Sequence, residues 1–209
     1  MIELLLVIAV IGVLAAIAYP VFIGILERAK ATKDMNNLRQ IGIATQLYLN
    51  DNDGALFTTG GVWMTQLHPK YLASWNVFQS PFDIRTASET DATAPVSYGI
   101  NGINGGSIVG TSVDKIKSPS VFILFAPTQA STATVSFQGL GGAAVMVYKD
   151  TSTPGGTATG GTHSTRRRIN ALFADLHLEN MFWTTFINDT VSASDPSADL
   201  RWAPYTPYP

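Results

Sequence analysis

From Leu4 to Leu26 the chain carries no charged residue, and the stretch is mostly leucine, isoleucine, valine and alanine. Nothing else in the sequence restricts the fold so severely. At about 1.5 Å of rise per residue, a helix of this length matches the roughly 30 Å hydrocarbon core of a bilayer. A secretory signal shows a basic start, a shorter apolar run and a small-residue cleavage site. Here the run is longer, and Glu3 stands where a basic residue is expected. A single membrane-spanning helix is the plain reading of residues 1–26.

The helical pattern continues past Leu26. Glu27, Arg28, Lys30, Lys33 and Asp34 begin a polar stretch without helix breakers. Met35, Leu38, Ile41 or Gly42, Thr45, and Tyr48 or Leu49 then recur at helical spacing, which predicts an amphipathic half over 27–53. The stop is the turn-forming cluster Asn50-Asp51-Asn52-Asp53-Gly54. One helix of roughly fifty residues should therefore project its apolar half and pack its one-faced half on a head domain. Pro20 removes one backbone bond and is expected to kink or loosen the helix, aided by Gly12 and Gly24.

Residues 54–209 read as a β-rich head. Val62 to Leu72 reads as a loop with a short helix ending near Pro69-Lys70-Tyr71-Leu72, and Val77-Phe78 and Val96 to Ile100 read as short extended pieces. Val121 to Phe125 is a continuous apolar run suited to a buried strand. Val135 to Phe137 and Ala143 to Tyr148 are further strand candidates. Thr151 to Thr162 has the Gly/Thr composition of an exposed flexible loop. Ile169 to Phe173 and Leu178 to Phe182 flank a four-residue turn and predict a hairpin. Trp202 to Pro209 interleaves proline with tyrosine, an extended tail with aromatic surface. The fold class is α+β, a long N-terminal α-helix packed on a small antiparallel β-sheet domain.

Composition narrows the function classes. Charged residues are only 13% of the chain and net charge is −2, so there is no basic footprint for nucleic acid. There is no cysteine, which excludes disulfides, cysteine nucleophiles and thiolate metal sites. No nucleophile–base–acid set emerges, so the chain is not read as an enzyme.

Residues 1–20, Met-Ile-Glu-Leu-Leu-Leu-Val-Ile-Ala-Val-Ile-Gly-Val-Leu-Ala-Ala-Ile-Ala-Tyr-Pro, resemble the N-terminal segment of type IV pilins and type II secretion pseudopilins, including the spacing from Glu3 to Pro20. Asn37 to Gly42, then Tyr48, Asn50, Asp51, Asn52 and Gly54, resemble the subgroup with a histidine-and-aspartate hairpin near the C-terminus. Val77 to Asp83 resembles a segment in which a cysteine usually precedes the proline; Ser80 replaces it here. Ser97 to Asn101 and Ser118 to Ser120 fit as well. The hairpin motif falls on Asn170, Phe173, Asp175 and His177, with Leu176 in place of the usual glycine, which suggests an altered turn.

The resemblance implies the pilin fold and a homopolymer built through the N-terminal helices. It also implies an inner-membrane stage, handling by a prepilin peptidase and pilus assembly machinery, and a final place in an extracellular filament or a periplasmic pseudopilus. In the family a basic leader is cleaved and the new N-terminus methylated a few residues ahead of the glutamate. Glu3 lies only two residues from Met1, so that processing is not assigned to a residue here. Glu3, Gly12, Pro20 and Gly24 are the assembly candidates. The resemblance gives Glu3 the role of pairing with a neighbouring subunit's N-terminal ammonium, which fixes register. No cofactor is expected; calcium on Asp189, Asp195 and Asp199 is the weak exception, as their spacing lacks the alternation of an EF-hand loop. Asn188-Asp189-Thr190 is a glycosylation sequon, and Arg166-Arg167-Arg168 reads as a solvated basic face. A membrane-anchored surface protein that never polymerises is the alternative from another class.

Overall fold

The computed structural model of the chain describes residues 1–58, 62–101, 110–128, 134–137, 139–142, 146–147 and 160–203. The first element is one uninterrupted helix, α1 (Ile2–Asp51), which runs through Pro20. Its end is made by the predicted turn formers. Asn52 caps with its side chain on the Tyr48 carbonyl (2.7 Å), and the amides of Asn52 and Gly54 both return to the Leu49 carbonyl. Asp53 and Gly54 take φ of 52° and 74°, which reverses the chain.

The two halves of α1 differ as the sequence predicts. Every residue before Gly24 is exposed, whereas Asp34, Asn37, Leu38, Ile41, Gly42, Ala44, Thr45, Tyr48 and Leu49 are buried against the head. Gly42 allows the closest approach: a Cβ there would lie 3.2 Å from a Leu172 methyl.

The head is built around a five-stranded sheet of order β5-β2-β3-β6-β7: β5 (Met146–Val147), β2 (Tyr98–Asn101), β3 (Ile123–Pro127), β6 (Arg168–Phe173) and β7 (Leu178–Phe182). Four strands are antiparallel, and the β2–β5 pair at the edge is parallel. β1 (Pro95–Val96) and β4 (Gly139–Leu140) form a separate two-stranded antiparallel ladder. Alternation along β6 separates two faces. Leu172 joins the cluster with Leu38, Ile41, Tyr48, Trp63 and Phe125 beneath α1, while Ile169, Ala171 and Phe173 pack on the other side with Trp183, Phe186 and Trp202. The molecule is thus layered as α1, sheet and C-terminal segment. Rings dominate beneath α1, with Trp63 at 4.5 Å from Phe125 and 5.6 Å from Phe78 between centroids. Each such buried side chain contributes roughly 1.5–3 kcal/mol.

Several local expectations are corrected. The short helix is α2 (Trp63–Leu67), which ends before Pro69, with His68 already extended. Val77-Phe78 is not extended but lies in a 3-10 turn over Trp75–Phe78, because Ser74 and Glu89 side chains accept its first amides. The strand expected over Val121 to Phe125 begins two residues later, since the Val121 and Phe122 amides close a turn on the Ser118 carbonyl. Val135 to Phe137 is not strand. Within Ala143 to Tyr148 only 146–147 is described, as β5. Of the Gly/Thr segment, 151–159 lies outside the described residues, but Gly160, Gly161 and Thr162 are buried rather than exposed. They are pinned there because a Cβ on Gly160 would collide with the Trp183 ring, and one on Gly161 with the Arg168 carbonyl. Trp202 is 1% exposed and donates to the Phe186 carbonyl at 2.8 Å, so it belongs to the core; the tail beyond Ala203 lies outside the described residues.

Candidate functional site

The exposed half of α1 is the largest uncovered apolar surface among the described residues, running from Leu4 to Leu26. Its length and composition suffice to cross a membrane, and none of its most apolar window is buried. Glu3 stands exposed at its start, with no partner among the described residues. Gly12 and Gly24 have open space where a Cβ would point, so neither is required by contacts within this chain. A surface of small and branched apolar side chains in an isolated rod has two stable surroundings, lipid or other such rods.

Where this rod meets the head, a turn from the hairpin side grips it. The Ser164 amide donates to Glu27 Oε1 at 2.7 Å. Ser164, Thr165 and Arg166 have φ of 53°, 53° and 62°, three successive left-handed residues without a glycine, each strained by roughly 1 kcal/mol or more. A cleft of about 430 Å³ opens here, lined by Gly24, Glu27, Arg28 and Ala31 of α1 and by His163 and Arg168 opposite.

About two turns beyond Glu27 on α1 lies a site with no counterpart in the sequence analysis. Asp34 is wholly buried, and three donors converge on it: Ser80 Oγ at 2.5 Å and Tyr98 OH at 2.8 Å on Oδ1, and Asn170 Nδ2 at 2.8 Å on Oδ2. Burial pushes its carboxyl above the ordinary carboxylate range, and the three hydrogen bonds pull the other way. Asn170 also donates to the Ala31 carbonyl, so β6 holds both the backbone and a side chain of α1. The Ser80 amide donates to Ser97 Oγ, which in turn donates to Asp83, itself gripped by Arg85. On the other side Asn170 Oδ1 accepts from Asn180 Nδ2, and that nitrogen also reaches His163 Nε2 at 2.6 Å. Because Arg168 donates to Asn180 Oδ1 at 2.9 Å, the asparagine amide must face the imidazole, which leaves His163 neutral with Nδ1–H toward Thr162. Burial accordingly lowers the His163 titration below its usual value.

The four residues of the hairpin motif divide between two places, Asn170 apart from the other three. Asn170 joins the Asp34 cluster and Phe173 lies in the second core. Asp175 accepts from the His177 amide, an ordinary aspartate turn, while the His177 ring contacts Asp175 and stacks on Phe173 at 4.2 Å between centroids. The turn is not altered by the loss of glycine: Leu176 itself adopts φ 69° and keeps the left-handed position.

At the C-terminal side, Asp195 is taken up by Arg201 through both oxygens and by Asn188. The arginine hydrogen bonds hold its carboxyl below the usual range. Asp189, Asp195 and Asp199 form no three-ligand cluster among the described residues. Asn188 of the sequon spends its amide nitrogen on Asp195 and the Thr190 carbonyl. The arginine run is only partly solvated: Arg167 is exposed, Arg166 reaches the Gly160 and Gly161 carbonyls, and Arg168 sits 4.0 Å over the Phe182 ring. Comparison with protein-family models, curated proteins and solved structures finds no match.

Proposed function

We propose that the chain is a pilin-like structural subunit that is held in a membrane by the first half of α1 and then packed through that half into a helical filament. The observation that carries this reading is the apolar rod from Leu4 to Leu26, exposed as far as Ile23 and continuous in one helix with the half that packs on the head. Burying such a rod against copies of itself recovers the packing that the isolated chain forgoes. Glu3 is the register element: a carboxylate in an apolar bundle costs roughly 2.5–3.5 kcal/mol unless it is paired, so only a stacked subunit whose N-terminal ammonium meets it removes the penalty. The head would face outward, a structural rather than catalytic part.

The long loops and the Ser/Thr-rich surface of the head favour an extended extracellular pilus, while the subgroup resemblance of the hairpin around Asn170, Asp175 and His177 supports the alternative, a short periplasmic pseudopilus. Electron microscopy of material sheared from cells separates the readings. Long filaments containing this chain support the pilus, filaments seen only on overexpression support the pseudopilus, and a chain recovered solely as a detergent-soluble monomer refutes assembly. Glu3→Ala should abolish filaments while leaving membrane insertion intact; normal filaments from this variant would remove Glu3 from the assembly step.

A further inference from the structure

The chain has 13 Lys and Arg residues, and six of them fall in two short stretches: Arg28, Lys30 and Lys33 on α1, and Arg166, Arg167 and Arg168 at the start of β6. The hydrogen bond from the Ser164 amide to Glu27 brings these stretches, distant in sequence, to one level of the molecule. That level is where the apolar run ends. Arg28 and Lys30 lie only about 3 and 6 Å along the axis from Leu26. The acids within the same α1 stretch offset little of this charge: Glu27 is engaged by Ser164, and Asp34 is wholly buried.

Two of the six cations are turned inward, Arg166 onto glycine carbonyls and Arg168 onto Asn180 and the Phe182 ring. Arg28, Lys30, Lys33 and Arg167 remain exposed, and none has an acidic partner among the described residues. The cleft between Arg28 and the Ser164 turn opens at the same height.

We propose that Arg28, Lys30, Lys33 and Arg167 form a collar that seats the head on an anionic phospholipid surface while the apolar half of α1 lies in the bilayer. The inference rests on the membrane-held stage of the proposed function. Four uncompensated cations beside a membrane-spanning helix are the arrangement that selects negatively charged headgroups, each contributing independently at the surface. The collar fixes how far the rod enters the membrane, since its cations sit at headgroup depth when Leu26 reaches the edge of the hydrocarbon.

The test uses the full chain reconstituted in vesicles of equal parts phosphatidylcholine and phosphatidylglycerol, with retained lipids counted by native mass spectrometry. The wild type should hold the anionic lipid over the zwitterionic one by about tenfold, and the preference should shrink in high salt. The variant Arg28→Gln/Lys30→Gln/Lys33→Gln/Arg167→Gln should fall to near parity with unchanged thermal unfolding, whereas Lys115→Gln should keep the preference. Flotation is scored separately. A wild type that floats without lipid preference, or a quadruple variant that retains it, overturns the collar alone. A chain that floats with no vesicle overturns the membrane-held stage and the collar with it.

Discussion

Asp34 receives hydrogen bonds from residues 46, 64 and 136 positions away, so its partners leave no trace in its own neighbourhood of the sequence. An aspartate beside Lys33 in a polar stretch reads as solvated. The one signal was phase: Asp34 lies four residues before Leu38 on the stripe that continues through Ile41, Thr45 and Tyr48. In sequence Ser80 stands out only as the residue in place of a cysteine; in the structure its hydroxyl donates to Asp34 on α1. Asp34→Ala would leave the buried Ser80 and Tyr98 hydroxyls without this acceptor and Asn170 Nδ2 with the Ala31 carbonyl alone, at about 1–3 kcal/mol for each hydroxyl, so unfolding in detergent should show a loss of about 2 kcal/mol or more. Asp34→Asn tests the charge. The folded titration is raised above the unfolded value of 3.8, so the group's contribution is fullest below that value and is lost as pH rises through the folded titration. Relative to the asparagine variant, the wild type should therefore gain stability as pH falls; a gap that stays constant with pH would show that Asp34 is not titrating there.

At the scale of elements, α1 and the β6–β7 hairpin were legible because their periodicities are long and their stop signals strong. The strand of residues 123–127 and the turn at Val77-Phe78 were misjudged by local composition, because side-chain caps from Ser74 and Glu89 and a turn on Ser118 decided those boundaries. Leu176 shows the converse. A left-handed position was expected to need glycine, but the hairpin's ladder of five paired positions holds a leucine there. Gly160 and Gly161 looked like linker residues and are instead the tightest packing points of the junction, one against an indole and one against backbone. Of the two, Gly161→Ala should be the costlier, since a carbonyl cannot swing aside as a side chain can. Losses of about 1–3 kcal/mol or more are expected, read as lowered melting temperature and faster amide exchange at Ser164 and Arg168.

For the whole molecule, burial begins only at the level of Gly24 and Glu27, and the apolar half of α1 contributes nothing to the head's cores. A chain lacking residues 1–26 should therefore remain folded, become monomeric without detergent and melt within a few degrees of the full-length protein. A large drop in melting temperature or persistent aggregation would show that the first half stabilises the head after all. The division at residue 26 was readable from hydropathy, because a bilayer or a bundle demands an uninterrupted apolar run. How the head clasps the second half was not, because it depends on side chains brought together by topology.

The clasp has a mechanical consequence. Tension applied to the N-terminal half of α1 enters the head first through the Glu27–Ser164 hydrogen bond and then through the Asp34 cluster, one to two turns further on. These bonds connect α1 to the sheet sideways, so a pull along the helix axis shears them as a group instead of peeling them singly. Stretched end to end, the subunit should hold its length up to a threshold force and then give way in one step.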